Sequence, residues 1–94
     1  MVLRRAAKRD LAEARDWYEE RQTGLSDAFR IEVDAILQRV REHPEMYPRV
    51  DNRIRRAALH RFPYGIFYIL DGETIRVIAI LHRARSPEQW RRRS

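Results

Sequence analysis

From about Lys8 the chain places apolar side chains every three or four residues, through Leu11, Ala14 and Tyr18 to Gln22, with Trp17 beside the stripe. That spacing predicts an α-helix that buries one face. Gly24 is placed to end it, because glycine enters the left-handed conformation without steric cost. Ser26 then reads as the N-cap of a second helix, and Asp27 in the first turn favours the positive end of the dipole. Phe29, Val33, Ile36, Leu37 and Val40 form a continuous apolar stripe, which stops at "EHPEMYP", where Pro44 and Pro48 prevent continuation. Two helices joined by about three residues must run antiparallel as a hairpin. Glu19, Glu20 and the other helix acids read as a solvated face.

After Pro48 the period changes. "RIRRAALH" (53–60), "YGIFYIL" (64–70) and "TIRVIAILH" (74–82) read as strands rich in β-branched and aromatic residues. Asp71-Gly72 between the last two predicts a type I′ hairpin turn, since both central residues need positive φ. With that turn, Leu70 faces Glu73, Tyr68 faces Ile75, Ile66 faces Val77 and Tyr64 faces Ala79. One face is then apolar and covers the helices. The other carries Phe67, Ile69, Thr74, Arg76, Ile78, Ile80 and His82, a mixed surface, exposed in part or covered by something else. Residues 2 to 5, "VLRR", are a candidate extra strand. In the tail, Ser86-Pro87-Glu88 starts a last helical turn, with Trp90 folded back or offered to a partner and Arg91 to Arg93 solvated. The predicted class is α+β, an N-terminal helical hairpin packed on a small antiparallel sheet within one domain spanning 1–94.

Composition narrows the function. Without cysteine there is no disulfide framework, thiolate nucleophile or Cys-based zinc site, and neither a metal nor a cofactor is expected. No uncharged run approaches the roughly 20 residues of a membrane span, and a cytoplasmic location with no membrane partner is expected. Residues 1 to 48 carry 9 basic and 10 acidic side chains, whereas residues 49 to 94 carry 11 and 4. The whole positive excess therefore lies in the strand-forming half. Arginine, whose planar fork suits phosphate and carboxylate, supplies all but one of the basic residues, so a nucleic acid or an acidic protein segment is the expected partner class.

The segments "DLAEARDWYEER", "FRIEVDAILQRVREHPEMYP", "IRRAALHRFPYGIFYIL" and "IRVIAILHRARSPEQW" resemble the RelE/ParE superfamily of toxins from bacterial type II toxin-antitoxin (plasmid stabilisation) modules. The most specific pieces are "RFPYGIFY" (61–68) and "LHRARSPEQW" (81–90). The resemblance spans Ala7 to about Trp90 and implies a growth-arresting toxin neutralised by a cognate antitoxin. RelE-like members cleave mRNA on the ribosome; ParE-like members lack that nuclease set and poison DNA gyrase.

RNA cleavage requires a base for the 2′-OH, a cation for the phosphorane and an acid for the leaving oxygen. The positions matching RelE-like sites in type are Arg55, Arg61, His82 and Arg83. Only His82 titrates near neutrality when unperturbed, and it also has a purely structural reading as a strand-end hydrogen-bonding group. No Tyr follows Tyr68, and the tail has Trp90, whose indole transfers no protons. The set is incomplete, which favours the ParE-like, non-enzymatic branch. The target surface is then expected at Arg56, Arg61, His82, Arg83, Arg85 and Trp90, and the antitoxin surface at Trp17, Leu25 and Phe67. A reading from another class is a non-toxic basic module that binds one acidic or amphipathic protein segment.

Overall fold

A computed structural model describes residues 1–94 as β1 (Val2–Leu3), α1 (Arg5–Arg21), α2 (Leu25–Glu42), β2 (Arg49–Asp51), β3 (Ile54–Ala58), β4 (Tyr64–Asp71), β5 (Thr74–His82) and α3 (Pro87–Arg91). The strands form one sheet in the order β1-β5-β4-β3-β2, with β1 parallel to β5 and the other pairs antiparallel. The α+β architecture follows the expectation, and Val2 and Leu3 do join the sheet. Strand β2 was not anticipated, because three residues with two charges carry no readable period. Strand β3 is shorter than the expected 53–60.

Gly24, at φ 93, is itself the N-cap of α2, two residues ahead of the expected Ser26. Its helix end is satisfied from the other helix: the Glu19 carboxylate accepts from the amides of Gly24 and Ser26, each at 3.2 Å. An acid expected to be solvated thus supplies the acceptors that the first turn of α2 lacks. The Ser26 hydroxyl accepts from Arg15 Nε instead, at 3.0 Å.

The predicted α2 stripe, Phe29, Val33, Ile36, Leu37 and Val40, is fully used. It packs with Ala14 and Tyr18 of α1 against Ile66, Tyr68, Val77 and Ile80 of the sheet. Tyr18 and Phe29 both hold Phe62 edge-to-face, at centroid separations of 4.8 and 5.1 Å. Such contacts add to the plain area term of burial.

The hairpin register differs from expectation twice. Asp71 pairs with Thr74, so the loop is Gly72-Glu73, and of those two only Gly72 has positive φ, at 62. That is the pattern of a type II′ turn rather than I′. Leu70 therefore faces Ile75, and Tyr68 faces Val77. Farther on, a bulge places Phe67 opposite Ala79, with Ile78 as the extra residue. An extra residue reverses the alternation of side chains beyond it. Ile66 consequently meets Ile80 and Tyr64 meets His82, while Ile80 turns to the helix side and Ala79 to the other face, opposite to the expected sides.

The chain termini close the outer edge of β5. Beyond β1, the Ile80 amide donates to Asp10 Oδ2 at 3.0 Å, and Arg93 donates to the Ile78 carbonyl at 3.2 Å and to both Asp10 oxygens. Arg4 in turn donates to the Arg93 carbonyl. Ser86 caps α3 as expected, accepting from the Glu88 amide at 3.3 Å. Trp90 then stacks on Phe67 at 4.9 Å and covers Ile54, Ile69, Ile78, Ala79 and Leu81. The face opposite the helices is a second small core under the protein's own tail. Arg91 pairs with Asp51 at 3.0 Å, so of the three tail arginines expected in solvent only Arg92 is there unpaired. No helix is long and apolar enough to cross a membrane.

Candidate functional site

Residues 59–63 connect β3 to β4, and each is fixed from a different direction. The Leu59 amide donates to the Tyr64 carbonyl at 2.9 Å. The amides of His60 and Arg61 donate to the Glu32 carboxylate of α2 at 2.7 and 3.1 Å. Phe62 sits in the aromatic cluster with Tyr18 and Phe29, and the Pro63 carbonyl accepts from the Arg83 amide at 2.8 Å. A loop held at each residue loses little further entropy when a ligand arrives.

Beside it opens a cleft of 470 Å³ into which Arg56, Arg61 and Arg83 all project, over a floor that includes Gly65 and Phe67. No Asp or Glu lines it, and none of the three guanidiniums has a carboxylate partner. Gly65 leaves room here: a Cβ at that position would lie 3.1 Å from both Cγ and Cδ of Arg56, so the arginine stem would have to shift by a few tenths of an ångström. The arginine stem thus lies close over the Gly65 backbone. Three converging cations without a counter-charge form a site for an anion.

A second cleft of 560 Å³ lies on the α1 side of the same loop, lined by Trp17, Tyr18, Tyr64, Ile80, His82 and Arg85 among others. His82 Nδ1 accepts from the Ala84 amide at 3.0 Å, and its ring meets Tyr64 edge-on at 5.4 Å. That contact fits the tautomer that carries its proton on Nε2. Burial pushes the Tyr64 phenol above its ordinary pKa; Arg85 opposes this, and Asp10 and Glu13 reinforce it. Burial also raises Tyr18, helped by Tyr64. These phenols stay protonated at neutral pH and provide no base.

The expected residues therefore divide. Arg56, Arg61 and Arg83 are brought together. His82 and Arg85 belong to the adjoining cleft, and Arg85 donates to Gln89 Oε1 at 3.0 Å. Arg55 is elsewhere: it donates to the carbonyls of Glu45 and Tyr47 at 3.1 and 2.7 Å and holds the loop after α2. Trp90 and Phe67, expected to meet partners, stack on each other and are 7% and 3% exposed, with Phe67 reaching the floor of the arginine cleft. Trp17 is 48% exposed, with the Arg21 guanidinium 3.7 Å above its ring, and Leu25 is half-buried at the start of α2.

Sequence reasoning missed Gly65 and Glu32. A glycine inside a strand of aromatic and β-branched residues signals close approach of another group, and that signal was readable at Gly65. Glu32 gave none, since its partners lie 28 and 29 residues away. No group of three or more His, Cys, Asp or Glu residues is arranged to hold a metal ion.

A family model described as "ParE toxin of type II toxin-antitoxin system, parDE" matches residues 1–87. Among solved structures, the chain is similar to one described as "Chromosomal ParDE TA system from P. aeruginosa", with a TM-score of 0.64 and 21% identity over 87% of this chain and 95% of that one. At that identity the likeness speaks for the fold. No curated protein sequence matches the chain.

Proposed function

The chain belongs to the ParE toxin family of type II toxin-antitoxin systems, and from that premise we propose that it arrests bacterial growth by binding DNA gyrase through the arginine cleft, without cutting RNA. The observation that carries this reading is the pairing of two facts about one site. Arg56, Arg61 and Arg83 line one cleft with no counter-charge, and of the two imidazoles nearby His60 alone lines that cleft, while His82 lies in the adjoining one with its Nδ1 occupied by a backbone amide. Guanidiniums bind and orient anions but stay protonated, so the cleft is equipped for recognition, and a single imidazole, His60, is the one base it holds. A RelE-like nuclease would need both a base and an acid, and one imidazole supplies a single such group. In this reading the 94 residues act as one toxin domain in the cytoplasm, where gyrase and its DNA are found.

Neutralisation by a cognate antitoxin belongs to the same proposal. The similar solved structure is described as a toxin-antitoxin system. On this chain the half-exposed Trp17 of the second cleft, with Leu25 at the start of α2 as a further apolar contact, offers an apolar site with Arg21 and Arg85 on one hand and Asp10 and Glu13 on the other, which suits an amphipathic segment that carries charge of both signs.

Inducing the gene alone while labelling new DNA and new protein separately tests the reading. DNA synthesis is expected to fail first, and the purified protein to inhibit purified gyrase while leaving ribosome-bound mRNA intact. Site-specific mRNA cuts that vanish in His82→Ala would overturn it in favour of the ribosomal nuclease.

A further inference from the structure

We propose that Glu32 is the positioning residue of the arginine cleft: from helix α2 it fixes the 60–61 backbone so that Arg61 is held beside Arg56 and Arg83 before any target arrives. This rests on the reading of the cleft as the target-binding site. Glu32 does not line the cleft, so its charge is not spent on the three guanidiniums. Its Oε2 accepts from the His60 amide at 2.7 Å and its Oε1 from the Arg61 amide at 3.1 Å. A carboxylate is the side chain that can offer two acceptors to two successive N–H groups, and charge-assisted bonds of this kind are about twice as strong as neutral ones.

The need for such a clamp follows from electrostatics. Three like charges facing one cavity repel, and a free loop would relax by swinging Arg61 into solvent. The neighbouring constraints do not prevent that. Phe62 anchors the loop one residue later, with its ring 5.6 Å from the Arg61 guanidinium, and Arg83 holds the Pro63 carbonyl, yet neither bonds the backbone of residues 60 or 61. Glu32 alone fixes the backbone that carries the Arg61 side chain. It therefore links helix α2 to a cleft that contains no α2 residue.

The test is a double-mutant cycle on Glu32 and Arg61, read as the inducer dose needed for growth arrest, with thermal unfolding of each purified variant alongside. Glu32→Ala is expected to lower potency about tenfold, the scale of one lost charge-assisted hydrogen bond. Glu32→Gln, which keeps one acceptor, should recover part of it. If Glu32 acts through Arg61, adding Glu32→Ala to Arg61→Ala should cost nothing more. A merely structural role would instead give effects that multiply, with a matching fall in melting temperature for Glu32→Ala. Multiplying effects, or unchanged potency in Glu32→Ala while Arg61→Ala is impaired, would overturn the proposal and leave the target-binding reading intact. Unchanged potency in Arg61→Ala would remove that residue from the binding site and overturn both.

Discussion

Where the termini meet, Arg4, Arg91 and Arg93 all end on acceptors; across the sheet, beside residues 59–63, Arg56, Arg61 and Arg83 end on none. The contrast is sharpest between neighbours in β3. Arg55 faces the helix side opposite Tyr68 and ties down two backbone carbonyls, whereas Arg56 faces the other way, opposite Phe67, and lies over Gly65 with its head unpaired. Alternation along a strand sends adjacent identical side chains to different surroundings. Arginine identity therefore says little about role. What separates the groups is whether an acceptor waits at the end of the side chain, and this separation predicts which arginines hold the fold and which are available to a target.

The largest expected effect breaks the terminal group. Asp10→Ala would leave the Ile80 amide without its acceptor and strand Arg93 beside the bulge, in a place where the Asp10 side chain is only 8% exposed. Removing one partner of a buried pair leaves the other's desolvation unrepaid, so a loss of about 3 kcal/mol is expected in urea unfolding. Arg93→Ala should cost less, because Asp10 keeps the Ile80 amide and gains water from the quarter-exposed arginine's place. Equal losses in the two variants would mean that the Ile80 contact contributes nothing of its own.

Much of the first group's chemistry was hidden from the sequence, for a physical reason. The helical hairpin and the two long strands are local patterns, written in spacing, and Phe29 to Val40 and Tyr64 to His82 occupy the expected elements. The bulge at Ile78 is not local. Its freed polar groups are met by Asp10 and Arg93, 70 and 15 residues away, so no window of the sequence contains the cause. The same holds for Glu19 as the acceptor at the start of α2, and for Arg91 and Arg93, which read as a solvated tail. In the cleft, residue type was legible in Arg56, Arg61 and Arg83, but the absence of carboxylates around them was not. Arg55 was grouped with them because type and rough location are all that a single sequence displays.

A smaller effect sharpens the contrast at Arg55. That residue shares the loop after α2 with Tyr68, whose hydroxyl donates to the Pro44 carbonyl at 2.6 Å. Burial raises the Tyr68 pKa to about 12 against an opposing pull from Arg55, with Tyr47 adding to the rise. A folded-state pKa above the unfolded value of 10 means that the native protein holds this proton more tightly. The associated stability is complete below pH 10 and is lost as pH rises through about 12. Tyr68→Phe is expected to cost about 1 kcal/mol at pH 7 for the lost hydrogen bond. It should then unfold less steeply than the parent between pH 10 and 12, retaining only the contributions of Tyr18 and Tyr64. Parallel stability curves for parent and variant across that range would show that the Tyr68 proton is not held as described.

The smallest expected effect lies on the other side of the contrast. Replacing Arg56, Arg61 and Arg83 together by Ala removes three exposed side chains that make no side-chain hydrogen bond or ion pair within the protein. Surface substitutions away from such contacts change stability by about 0.5 kcal/mol or less, and here the lost packing of the Arg56 stem on Gly65 is offset by relief of like-charge repulsion. The triple variant should therefore unfold at nearly the parent urea concentration while failing to arrest growth when induced. A loss of more than about 1 kcal/mol would place these arginines with Arg55 and Arg93 as parts of the fold. Full toxicity at parent stability would make the cleft a basic surface with no bearing on the target. Lost toxicity at parent stability is the one result that requires the guanidiniums to meet something outside the chain, because inside it they have no hydrogen-bond or ion-pair partner and only Arg61 has a ring, that of Phe62, at 5.6 Å.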